Sequence, residues 1–212
     1  AARQRGENGV HGPLAERLVA GESVLRVQAD LLADRARSGS WRAVVDECVS
    51  VLGALSRAQR TNGGFHLATR IAHATLSDAL ARCADELPVV PGGPAALVAA
   101  VEHEDFTVAL SIVRLAIRAA GWRAWCVGAV PSAELAAFAA AQGADAILLF
   151  ASIARSRAGV VEEVSIVEAA CAQGAVPLAL VGGGPFVPVG TARIVRSFGE
   201  IPDFLESVAR PS

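Results

Sequence analysis

The run Glu102-His103-Glu104-Asp105-Phe106 places three carboxylates and an imidazole side by side, a density of oxygen and nitrogen donors that suits a divalent cation or acid–base work. Asp105 also stands where it would cap a following helix, its negative charge favoured at the positive end of the helix dipole. His103 reads either as a loop histidine in water or bonded to Glu102 or Glu104, or as a displaced ligand. A second group, His66, Arg70, His73 and Ser77, recurs at i, i+4, i+7 and i+11, one polar stripe beside the apolar stripe of Phe65, Ala68, Ala72, Leu76 and Leu80. The same stripe reads equally as a solvated helix face with two surface histidines. A third, Gly182-Gly183-Gly184-Pro185, leaves backbone open to close approach but lacks the Gly-Lys-Ser ending of a phosphate loop. Ser152, Ser156 and Thr191 are ordinary loop residues with no base beside them, so an enzyme is the weaker reading.

These groups need scaffolds, and the chain supplies two kinds. Residues 11–84 carry helical periodicity broken at Gly21, at Ser38-Gly39-Ser40 and at Thr61-Asn62-Gly63-Gly64, which predicts four helices with Ser40 capping the third. Leu25, Val27, Leu31 and Leu32, then Val44, Val45, Cys48, Val49 and Leu52, are the expected bundle core. The proline-rich run Leu87-Pro88-Val89-Val90-Pro91-Gly92-Gly93-Pro94 cannot be helix and marks a boundary. Thereafter apolar strands at 95–101, 123–127, 146–150, 176–181 and 192–195 alternate with helices at 107–120, 132–142, 160–172 and 201–209, Ser132 being the expected cap of the second of these. Strands so uniformly apolar are buried on both faces, which predicts a doubly wound, flavodoxin-like parallel sheet with its ligand site beyond the carboxyl ends of the strands. The expected division is a helical domain over 1–86 and an α/β domain over 95–212.

Composition narrows the function. Every basic residue is arginine and the net charge is -2, so these residues present no basic field for a phosphate backbone, and DNA contact is expected only through a module outside them. No apolar run approaches the roughly 20 residues of a membrane span, and no leader or lipidation signal is seen, which reads as a cytoplasmic chain with no membrane partner. Cys48, Cys83, Cys126 and Cys171 lack zinc or disulfide spacing and are expected as reduced, mostly buried thiols.

Three segments at the strand ends, 101–109, Leu148-Leu149-Phe150-Ala151-Ser152 and Val181-Gly182-Gly183-Gly184, resemble in order and spacing those of cobalamin-binding domains. In that family they read D-x-H-x-x-G, S-x-L and Gly-Gly. Ala119-Ala120-Gly121-Trp122 and Val127-Gly128-Ala129-Val130-Pro131 resemble the family's second strand and its turn. Gly64-Phe65-His66-Leu67-Ala68-Thr69 is similar to the Glu-His-Leu-Ala-Ser segment on the last bundle helix of light-sensing MerR-type cobalamin repressors, where the bundle caps the corrin. The repressors' upstream tryptophan has no counterpart at its spacing, Trp41 being too distant.

The resemblance implies Glu104 at the aspartate, Phe106 at the cobalt-ligating histidine, Ala109 at the glycine and Phe150 at the serine that lines the nucleotide-tail slot. Phenylalanine cannot ligate cobalt, so binding in the base-off, histidine-on mode is not expected. Cobalamin held another way, a tetrapyrrole without a tail such as haem or a bilin, or an empty site all stay open. The implied ligand contacts are His66, Arg70, His73, His103, Glu104, Phe106, Ala109, Phe150, Gly182, Gly183 and Gly184, with His66 the candidate axial ligand. The implied role is the sensory domain of a transcriptional regulator, a photoreceptor where light is the signal, holding its ligand between bundle and sheet and self-associating as a homo-oligomer. A corrinoid carrier for methyl transfer and a cofactor-free interaction module are the other readings.

Overall fold

The computed structural model describes residues 12–61, 66–102, 107–152, 156–186 and 190–209. The chain divides into two compact units, Ala1–Cys83 and Ala84–Ser212.

In the first unit lie α1 (Gly12–Val19), α2 (Val24–Ser38), α3 (Trp41–Thr61) and most of α4 (His66–Asp85). Ser23 caps α2 by accepting from the Arg26 N–H, and Gly39 ends it in the left-handed conformation that a residue without Cβ adopts freely. The Ser40 hydroxyl accepts from the Arg42 N–H at the start of α3, 3.1 Å away. Leu18, Val27, Leu31, Val44, Val45, Cys48, Leu52, Leu76 and Leu80 are buried. Leu25, expected in this core, is 65% exposed. It lies two residues from Val27, about 200° around the helix and so on the opposite face. Val49 is likewise exposed.

The second unit holds five parallel strands in the order β2-β1-β3-β4-β5: β1 Ala95–Ala100, β2 Arg123–Ala129, β3 Ala146–Phe150, β4 Leu178–Val181 and β5 Arg193–Val195. Its helices are α5 (Thr107–Ala119), α6 (Ser132–Gln142), α7 (Arg157–Gly174) and α8 (Ile201–Ala209), with a 3-10 turn at Phe198–Glu200. This is the doubly wound α/β arrangement that the apolar strand runs predict. Every residue of β1, β3 and β4 is buried. Alternate residues divide between two layers. Leu97, Ala99, Ile147, Leu149 and Leu180 pack with Leu135 and Ala139 of α6 and with Val160, Val164 and Val167 of α7.

Asp145 fixes where β1 begins: its carboxylate accepts from the Ala95 N–H and its own N–H donates to the Ala95 carbonyl, both at 2.8 Å. The β1–β2 register slips between Val98 and Ala99, and Gly128, at φ 72, lets β2 run on to Ala129, past the expected end at 127. Helix α7 starts three residues earlier than expected, because Ser156 caps it by accepting from the Gly159 N–H.

Among the described residues no helix is long and apolar enough to cross a membrane.

Candidate functional site

In a doubly wound sheet the loops after β1, β3 and β4 meet at one end, beyond the strands nearest the point where strand order reverses. The structure brings two of the three candidate segments into direct contact there. Phe150 ends β3, Gly182 follows β4, and the two strands pair so that Phe150 lies beside Val181. Gly182 has φ 108, a conformation that side chains rarely adopt, and a Cβ built on it would fall 2.8 Å from Phe150 Cε2 and 2.8 Å from the Ala151 carbonyl oxygen. A Cβ on Gly184 would fall 2.8 Å from that of Ala151. Two hydrogen bonds hold the segment in place, from Gly182 N–H to the Val195 carbonyl and from Gly184 N–H to the Ala151 carbonyl, each 3.0 Å.

The sequence reading treats the glycines as backbone left open to a ligand. Instead, the close approach at Gly182 and Gly184 is made by the chain's own Phe150 and Ala151, and of the three glycines only Gly183 is exposed. Phe150 is 4% exposed and stacks on Phe198 of the 3-10 turn, ring centroids 6.3 Å apart. The space beside Gly182 at the ends of β3 and β4 is therefore occupied by the Phe150 ring, itself backed by Phe198.

Ala109, in the first turn of α5, is buried at 1% exposure. His103, Glu104, Asp105 and Phe106 lie outside the described residues, and with them the expected cap of α5. On α4, His66 is the first helical residue and its side chain is outside those described; Arg70 is exposed, and His73 is half-buried. Burial lowers the His73 pKa, favouring the neutral imidazole. Among the described residues no three His, Cys, Asp or Glu side chains are grouped to hold a metal ion.

The structure also shows a role that the expected helix cap hides. Pro131 occupies the N-cap position of α6 and makes no side-chain cap bond, so Ser132 is the first helical residue. Its hydroxyl is directed to Glu163 Oε2 at 3.4 Å, and the same oxygen accepts the Glu102 N–H at 2.6 Å. Glu163 was not among the candidates. Its spacing could have found it: it lies at i+3 from Val160 and i−4 from Val167, on the side of α7 that turns inward.

No family model matches the chain, and no curated protein matches it. Among solved structures, a chain of the methanol:cobalamin methyltransferase complex MtaBC from Methanosarcina barkeri is similar at TM-score 0.47 and 16% identity, over 97% of this chain and 82% of that one. A cobalamin-binding protein from Desulfitobacterium hafniense is similar at TM-score 0.44 and 15% identity, over 93% of this chain and 98% of that one.

Proposed function

We propose that the α/β unit reads a flat tetrapyrrole at the carboxyl ends of its strands, without drawing a nucleotide tail into the sheet, and serves as the sensory half of a regulator. One observation supports this reading: the buried Phe150 ring, which the resemblance puts at the tail slot, lies against Gly182. A corrinoid in the tail-in mode does not fit these residues. A macrocycle resting on the loop ends does not require that volume, so cobalamin with its tail outside, haem and a bilin are the candidate ligands. Exposed Gly183 offers backbone to a flat face. A methyl carrier is disfavoured, because the resemblance puts Phe106 at the cobalt-ligating position and Phe150 in the slot. In this reading DNA contact belongs to an attached module, since a net charge of -2 gives these residues no pull on a phosphate backbone, and self-association is the readout.

Absorption titrations with haem, hydroxocobalamin and biliverdin test the proposal. A saturable shift of the visible bands with at least one macrocycle is expected. With cobalamin, the reduced Co(II) form should show no nitrogen coupling from a protein imidazole in electron paramagnetic resonance. Such coupling, or a base-off spectrum in the native chain, would overturn the tail-out mode. Replacing both Phe106→His and Phe150→Ser should move the site towards tail-in binding.

A further inference from the structure

The carboxylate of Glu163 bridges the segments that leave β1 and β2 just beyond their last paired residues, Ala100 and Ala129. Glu102 is the second residue beyond β1, and its N–H has left the ladder of sheet hydrogen bonds. That N–H donates to Glu163 Oε2 at 2.6 Å. The same oxygen faces the hydroxyl of Ser132, which is 6% exposed and opens α6 immediately after β2. Glu163 itself rides on α7, whose Val160, Val164 and Val167 anchor it in the core on the same helical side. The carboxylate is thus fixed by a packed helix while its two partners belong to the ends of other elements. Its neighbour Glu162 points to solvent and supplies an internal control.

We propose that Glu163 is a positioning residue: it sets the course of the chain out of β1 relative to the first turn of α6, and through that the affinity for the tetrapyrrole. The inference rests on the function proposed above and deepens it, since it names the residue that holds the ligand-facing end in shape. Glutamine at 163 keeps one acceptor oxygen and should largely preserve the bond. Alanine removes it, and aspartate keeps the charge but withdraws the oxygen by one methylene.

The test uses the whole chain, with amide exchange followed by NMR and haem, hydroxocobalamin and biliverdin binding followed by absorbance. In E163A and E163D the Glu102 amide should exchange about tenfold faster or more, while amides of β3 keep their protection; E163Q and E162A should stay near the native rate. Affinity for whichever of the three the native chain binds should fall about tenfold in E163A and E163D and be rescued by E163Q. Should E163A fail to fold, E163D and E163Q carry the comparison. Unchanged Glu102 exchange in E163D, or native affinity in a folded E163D or E163A, would overturn the role of Glu163 while leaving the ligand reading intact. A native chain that binds none of the three would overturn the ligand reading, and the inference with it.

Discussion

The ring of Phe150 and the backbone of Gly182 share one space: a Cβ on Gly182 would fall 2.8 Å from Phe150 Cε2. Each residue therefore constrains the other. G182A should destabilise the chain by about 2 kcal/mol, from the contact together with the cost of a side chain at φ 108. F150A should cost about 3 kcal/mol, as expected for emptying a buried aromatic site. Removing the ring frees part of the Gly182 side, so the double variant should be less destabilised than the sum of the two, by about 1 kcal/mol. Urea unfolding of the four proteins measures this coupling, and strict additivity would mean that the ring relaxes away from Gly182 in solution.

A second prediction concerns the end of α7. Ala175 closes that helix in the left-handed conformation at φ 52, with its N–H bonded to the Cys171 carbonyl. It is the sole non-glycine with positive φ among the described residues. A175G should raise stability by about 1 kcal/mol, because glycine pays no Cβ penalty there, and the thermal midpoint should rise accordingly. A fall in midpoint would indicate that the methyl group packs usefully against its surroundings.

The thiols make a third. Cys48, Cys83 and Cys171 are buried and Cys126 is exposed on the edge strand β2. Under native conditions a maleimide should label Cys126 alone, and all four cysteines only after unfolding. Although the residue as a whole is exposed, neighbouring chain partly shields its thiol from water and pushes its pKa up to about 11, against a smaller opposing effect of Arg114, so labelling should be slow at neutral pH and quicken about tenfold per pH unit until that value is approached. Mass spectrometry of the labelled peptides decides it. Native labelling of Cys48 or Cys171 would reveal local opening of the core.

Much of the architecture was legible because the chain punctuates itself. The strands of the α/β unit are unbroken apolar runs, and Gly39, Gly128 and Gly143 stand where the backbone takes positive φ. What escaped was the direction in which side chains point. Leu25 and Val27 are both apolar, and the period alone does not say which one the bundle encloses until the positions of α1 and α3 are known. Ser132 has the composition and place of a cap, yet its hydroxyl is drawn to Glu163, a partner remote in sequence. The contact of Phe150 with Phe198 was equally hidden, because only the crossing from β5 to α8 brings the second ring to the end of β3.

The last prediction follows from Glu168 on α7. Both of its carboxylate oxygens are shut off from water, beside Gly190 and the start of β5. Burial raises its pKa above the ordinary 4.5, and the Ala192 backbone N–H only partly offsets that rise. The sign of the effect is fixed by linkage. A carboxyl whose pKa is higher in the folded than in the unfolded chain binds the proton more tightly when folded, so ionising it costs stability as pH climbs from the unfolded value through the folded one. At low pH, where both forms are protonated, the cost vanishes. E168Q carries no charge to desolvate and should therefore be more stable than the native chain at pH 8, with the difference shrinking as pH falls towards 4. Urea unfolding of both proteins at several pH values in that window measures it. A difference that grows in acid would mean that Glu168 is held as a stabilised anion, and would reverse this account of the α7–β5 contact.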